Sequence, residues 1–259
     1  MDFLKNYYHS HDEENRLLSQ HGQVEYITTQ KYIHEYLRGT DTAILEIGAG
    51  TGRYSVSLSK EGHQVTAVEL IEHNIDLLRK KLDGTERINV LQGNALDLSA
   101  LPDNTFDMTL LLGPMYHLYS KEEKIRALSE AVRVTKPKGY ILVAYCMNEP
   151  TVVQAVFERH MLREALDQHM LTEDWHCISK PKDLFEMIRT EEIAELDAAV
   201  PVTRIKLIAT DGATNYKREL VDSMDEETFA KWVEYHLSVC ERQDLIGASN
   251  HTLDILQKN

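Results

Sequence analysis

A chain of 259 residues, 42% hydrophobic and 27% charged, suits one large α/β domain and excludes a disordered or fibrous class. A formal charge of -14 disfavours a nucleic-acid partner, which needs a basic surface to gain from counterion release, and favours a small-molecule one. Cys146, Cys177 and Cys240 have no C-x-x-C spacing, so neither a disulfide framework nor a cysteine-rich zinc site is expected.

The opening stretch, MDFLKNYYHSHDEEN, has no apolar leader, and no window approaches the ~18 apolar residues of a membrane span. A cytoplasmic location is therefore expected. His9 and His11 lie close together, but two histidines without further ligands do not make a metal site, and no metal is expected. A helical pattern follows, with Val24, Ile27, Tyr32, Ile33, Tyr36 and Leu37 on one face before Arg38-Gly39 ends it.

Short apolar runs at 43–47, 64–69, 88–92, 106–112 and 140–145 read as strands. Helical patterns at 52–60, 72–82 and 121–134 separate most of them, and such alternation predicts right-handed crossovers and a parallel, doubly wound sheet. The basic residues between Lys121 and Lys138 alternate with Glu122, Glu123 and Glu130, as on a solvated helix face. After Pro150 the alternation breaks: helices are predicted over 151–170 and 181–190, a strand over 203–208, a helix over 225–241 and a last strand over 251–256.

The first strand exits into Gly48, Gly50 and Gly52, where glycine permits positive φ and close approach of a ligand to the backbone. The loop opens a helix, whose free N–H groups and positive dipole end face the carboxyl edge of the sheet. A dinucleotide fingerprint would need glycine at 53, where the chain has Arg53, and a P-loop would need Gly-Lys-Ser/Thr after a longer spacing. Glu46, at the strand exit, repels a pyrophosphate but attracts an ammonium group. Glu69 ends the next strand, where such folds hold a ribose by two hydroxyls; its alternative role is to cap the following helix.

ILEIGAGTGRYS followed by VTAVEL resembles motifs I and II of the class I, Rossmann-like S-adenosylmethionine-dependent methyltransferases, and the order of elements over 42–146 follows that family. The resemblance implies a mostly parallel seven-stranded sheet with helices on both faces, in one domain divided into an N-terminal helical lid (1–40), a cofactor-binding core (41–149), a helical substrate cap (150–200) and C-terminal strands and helix (201–259). S-adenosylmethionine would be the cofactor and S-adenosylhomocysteine its product. Glu46 would lie near the methionyl amino group, Gly48, Ala49 and Gly50 behind the methionyl moiety, and Gly52 at the helix start. Glu69 would bind the ribose and Leu70 would lie against adenine. The stretch Gly93-Asn94-Ala95-Leu96-Asp97-Leu98 resembles the family's G-D-A-x-x-L, which makes Asn94 and Ala95 adenine contacts although Asn94 replaces the usual acid; Asp97 would brace the loop. Lys136-Pro137-Lys138-Gly139-Tyr140 resembles the family's turn before strand five.

Methyl transfer from a sulfonium is an in-line displacement, so the acceptor must be held close and aligned, and a base is needed only if a proton must leave. The acceptor side follows strand four, at Leu112-Gly113-Pro114-Met115-Tyr116-His117-Leu118, with Leu112 and Gly113 beside the donor. The Asn/Asp-Pro-Pro-aromatic motif of adenine-N6 enzymes is not met there, and no cysteine follows a proline as in cytosine-C5 enzymes; Cys146 instead suits a buried small hydrophobe. His117 and Tyr116 are the candidate catalytic residues. Tyr7, Tyr8, Arg16, His21 and Glu25 resemble the family's variable lid, whose aromatics would shield the sulfonium by cation–π contact. The expected function is methyl transfer to a small-molecule acceptor by a monomer or homodimer; the alternatives are an RNA or protein methyltransferase and a non-catalytic cofactor-binding subunit.

Overall fold

The computed structural model describes residues 2–10 and 17–259. Helix α1 (Asp2–Ser10) and helix α2 (Gln20–Tyr36) precede strand β1 (Ala43–Ile47). Then come α3 (Arg53–Lys60), β2 (Gln64–Glu69), α4 (Glu72–Lys81), β3 (Ile88–Gln92), β4 (Phe106–Leu111), α5 (Lys121–Val134) and β5 (Thr135–Cys146). Ser19 caps α2 and Ser120 caps α5, each side chain accepting from a backbone N–H three residues on.

Among the described residues one seven-stranded sheet runs in the order β3-β2-β1-β4-β5-β7-β6, with β6 (Val202–Ala209) and β7 (His251–Lys258) at its far side. β1 to β5 are parallel, while β7 lies antiparallel to both β5 and β6. The expected mostly parallel, doubly wound sheet is the one observed. Period-two alternation divides the core between the faces. Leu45, Ile47, Leu111 and Val143 pack with Ala127, Leu128 and Ala131 of α5, whereas Ile44, Met108, Leu110 and Leu142 pack with Tyr32, Ile33, Tyr54 and Leu58 of α2 and α3. Each fully buried aliphatic side chain contributes ~1.5–3 kcal/mol, so this layer holds the carboxyl edge of β1, β2 and β4 in fixed relation.

The long β5 absorbs the expected turn. Phe106 pairs with Thr135 but Met108 with Tyr140, so residues 136–139 bulge out, with Lys138 at φ 63°. The basic stretch is not wholly solvated either. Lys124 is buried and pairs with Glu186 at 3.6 Å, because the segment after β5 folds back over α5.

Two helix expectations are corrected. The single helix predicted over 151–170 is broken: α6 (Asn148–Thr151) passes into a π-helical turn at Val152–Glu158, His160 turns left-handed at φ 58°, and only then does α7 (Leu162–Asp167) follow. The helix predicted over 181–190 stops after the one turn of Pro181–Asp183. Backbone pairing outcompetes it: Glu186 N–H donates to Tyr116 O at 2.8 Å, Ile188 N–H donates to Cys146 O at 3.0 Å, and Ile188 O accepts from Asn148 N–H at 3.1 Å. The helix forms instead as α8 (Thr190–Ala198), where the Glu192 carboxylate accepts from Arg189 N–H at 2.8 Å. Short helices α9 (Arg218–Asp222) and α11 (Gln243–Ile246) flank α10 (Glu226–Val239), which Asp225 caps, close to the expected last helix.

Candidate functional site

The glycine loop is fixed by backbone bonds across the sheet. Gly48 and Ala49 N–H both donate to Val68 O, at 2.8 and 3.1 Å, which folds the chain tightly over the end of β2. Gly48 has φ +78°, and a Cβ there would lie 2.6 Å from Pro114 Cδ. A Gly48→Ala change therefore meets a proline ring that cannot swing aside, in a backbone region costing an L-residue ~1–2 kcal/mol. Thermal denaturation is expected to show a lower Tm for it, and calorimetry at least about a tenfold loss of ligand affinity at the loop.

Glu69 joins the loop to the next helix. Its Oε2 accepts from Gly50 N–H at 2.8 Å and its Oε1 from Ile71 N–H at 2.8 Å, at the start of α4. The helix-bracing role is thus present, and each carboxylate oxygen keeps a second lone pair for a hydroxyl. Glu46 is buried and accepts from Ser55 Oγ of α3. Burial, opposed by the Ser55 bonds and reinforced by the charge of Glu69, pushes its carboxyl up to about 8, so in the unliganded chain it is neutral at pH 7.

These groups border a cavity of about 350 Å³. Glu46, Gly48, Ala49, Gly50, Glu69, Leu70, Asn94, Ala95, Leu112 and Gly113 all line it. Gly52 does not: it caps α3 at φ +82°, and a Cβ there would lie 2.5 Å from Leu78 Cγ, so it allows α3 to pack on α4. Asn94 Oδ1 accepts from Leu96 N–H at 3.0 Å, and Asp97 Oδ1 accepts from Ser99 N–H at 3.0 Å, so both brace this loop. Thr51, Tyr54, Ile71 and Asn74 also line the cavity and carried no sequence signal of their own.

Helix α1 lies at the same cavity, contributing Phe3, Leu4 and Tyr8. Tyr8 Oη is 3.0 Å from His117 Nε2, and His117 Nδ1 is 2.8 Å from the Leu184 carbonyl. Because that carbonyl can only accept, Nδ1 carries the proton, and Nε2 accepts from the Tyr8 hydroxyl. Burial holds the His117 pKa below its ordinary value, which keeps the ring neutral near pH 7. Tyr7, Tyr116 and Phe185 complete an aromatic cluster with centroid distances from 4.9 to 5.9 Å. Phe185 reaches it because Leu184, at φ 68°, reverses the chain after the Pro181 turn.

Tyr8 and Tyr116 are also in the wall of a second cavity of about 500 Å³. Its far side is polar, with His21, Glu25, Gln154, Asp211, Asn215 and His251, and Cys146 is buried in its wall. His21 is tied to Asp222 at 2.7 Å. Asp211, Phe185 and His251 were missed in the sequence: each is isolated along the chain, and Asp211 and His251 meet only because β7 runs antiparallel beside β5 and β6, pairing His251 with Cys146. Arg16 and His11 lie outside the described residues, as does the side chain of His9.

Residues 45–143 match the model of the family described as "Methyltransferase domain". Among curated relatives, the demethylmenaquinone methyltransferase of Clavibacter sepedonicus is 31% identical over 107 residues, covering 41% of this chain and 42% of that one. The ubiquinone biosynthesis O-methyltransferase of Rickettsia bellii is 25% identical over 170 residues, covering 62% and 66%. The chain thus spans less than two-thirds of the length of either relative. A Thermotoga maritima crystal structure, titled as an S-adenosylmethionine-dependent methyltransferase and possible histamine N-methyltransferase, shares the fold with TM-score 0.59, 20% identity and coverage of 100% and 99%. Among the described residues no helix is long and apolar enough to cross a membrane.

Proposed function

We propose that this chain, whose residues 45–143 match a methyltransferase domain, is a class I S-adenosylmethionine-dependent methyltransferase that transfers the donor's methyl group to a small-molecule acceptor. The observation that carries this reading is the pair of cavities meeting at Tyr8 and Tyr116. The glycine-loop cavity takes the donor: Glu69 holds the ribose hydroxyls, Glu46 faces the methionyl ammonium, Gly48, Ala49 and Gly50 back the methionyl chain, and Leu70, Asn94 and Ala95 border the adenine. Leu112 and Gly113 lie toward the sulfonium. The second cavity takes the acceptor, α1 acts as the lid, and residues 150–200 form much of the acceptor cap.

In-line attack replaces the carbon–sulfur bond by a bond from methyl to acceptor, releasing neutral S-adenosylhomocysteine. Where the acceptor carries a proton, Tyr8 accepts it as its own proton passes to His117 Nε2, and the imidazolium then returns it to solvent. Tyr116 closes the side of the methyl path, and the aromatic cluster stabilises the cationic sulfonium by cation–π contact while excluding water.

Release of S-adenosylhomocysteine is the readout, with the low-molecular-weight and macromolecular fractions of a cell extract supplied separately. Turnover confined to the small-molecule fraction is expected; turnover with RNA or protein alone would overturn the reading of the acceptor. Tyr8→Phe, which cannot pass on a proton, is expected to lower kcat by ~10²–10⁴ for a proton-bearing acceptor while donor affinity stays within a few-fold.

A further inference from the structure

The polar side of the second cavity brings together ligand-type atoms from three separate elements: Glu25 of α2, Asp211 after β6 and His251 at the start of β7. We propose that Glu25, Asp211 and His251 form a binding site for one divalent transition-metal ion in the wall of this cavity.

Spacing is the first argument. His251 Nδ1 is 2.9 Å from Asp211 Oδ2 and 3.4 Å from Glu25 Oε2, and all three ligand atoms lie within 4.8 Å of one another. Donor atoms sharing one ion at bond lengths of ~2.0–2.2 Å stand ~2.8–3.6 Å apart, so these atoms need little movement to coordinate. Both carboxylate oxygens face the same ring nitrogen, His251 Nδ1, which Asn250 Nδ2 also approaches at 3.1 Å. A cation at the point of convergence serves all three at once.

Support behind the ligands is the second argument. Asp211 is buried, and its other oxygen, Oδ1, accepts from Ser249 Oγ at 2.7 Å, Asn250 N–H at 2.9 Å and His251 N–H at 3.1 Å. Those three donors fix the direction in which Oδ2 points, the kind of outer bracing that metal ligands receive. Cys146 is the cross-strand partner of His251 and lies in the wall of the same cavity.

A third observation points to an occupant of the same cavity. Asn215, only 5% exposed, spends its Oδ1 on the Arg218 guanidinium, and its buried Nδ2 has no partner among the described residues. A donor so placed calls for an oxygen from a molecule in the cavity. One imidazole and two carboxylates suit zinc or manganese better than a thiolate-seeking ion. An ion held here would draw an oxygen-bearing acceptor into the second cavity; that role, unlike ion binding itself, rests on the methyltransferase reading.

The test is calorimetric titration of tag-free full-length protein, stripped with a chelator, with zinc or manganese chloride. One equivalent is expected to bind, with affinity falling about 10–100-fold in Glu25→Gln, which leaves the Asp211 bracing intact, and at least as far in His251→Ala. Absence of binding to the wild type, or binding unchanged in both variants, would overturn the site. S-adenosylhomocysteine is titrated into the same preparations. Retained binding in the variants shows that they fold and that the metal loss is local, whereas a wild type that binds metal but no S-adenosylhomocysteine leaves the metal site standing and refutes the donor reading.

Discussion

Glu69→Ala is expected to weaken S-adenosylhomocysteine binding by at least about 100-fold and to lower the Tm of the unliganded protein, for two separable reasons. In the free chain the substitution removes the acceptor for Gly50 N–H and for Ile71 N–H, both 2.8 Å away, and each donor left unsatisfied in a buried setting costs ~1–3 kcal/mol. In the proposed donor complex it also removes the acceptor for the ribose hydroxyls, where each bond to a charged group contributes ~1.5–3 kcal/mol. Glu69→Gln separates the two, since the amide keeps one acceptor oxygen in nearly the same shape. Its affinity should fall between those of wild type and alanine. Equal affinity for wild type and Glu69→Ala would show that the ligand does not use this carboxylate.

Glu46→Gln should make the unliganded protein less sensitive to alkaline pH and at the same time impair donor binding. The sign follows from the direction of the shift. With its carboxyl moved from 4.5 to about 8, the folded chain holds a proton that the unfolded chain has already lost across that interval. Stability linked to this group is therefore fully present below about pH 4.5, falls by up to about 1.4 kcal/mol per pH unit, and is lost once pH has risen through about 8. Glutamine, neutral throughout, removes that slope. Donor binding runs the other way, because an ammonium beside Glu46 favours the carboxylate and expels the proton. Wild-type affinity should rise between about pH 6 and 8, by up to about tenfold per unit, while the Glu46→Gln profile is flat and weaker. Chemical denaturation and calorimetry across this range check both halves; a flat wild-type binding profile would mean that the ammonium does not face Glu46.

Reading the fold from the sequence succeeds where local chemistry determines it. The apolar run of β1, the three glycines and the carboxylates at 46 and 69 are close in the chain, so their spacing already implies a strand, a tight loop and a helix start in contact. Residues 181–190 show the opposite case. Their helical pattern is real, but Ile188 and Glu186 are claimed by the Cys146 and Tyr116 backbones, partners 42 and 70 residues away by numbering that no local pattern reveals. Lys124 fails for a related reason, since its partner Glu186 arrives on that same refolded segment. The wall of the second cavity is the least legible part. His251 looks like the first residue of a plain strand and Asp211 like a loop acid, and only the antiparallel insertion of β7 between β5 and β6 sets them against Glu25. Gly52 is a subtler instance: it belongs to the loop motif, yet its missing side chain makes room for Leu78 and not for a ligand.

The central claim is that the cavity bounded by the glycine loop and Glu69 holds the methyl donor. Calorimetric titration of S-adenosylhomocysteine into the wild-type chain and Glu69→Ala tests it most directly. One equivalent bound by the wild type, and binding at least about 100-fold weaker in the variant, is the predicted result. No binding to the wild type, or the same affinity in both proteins, would contradict it.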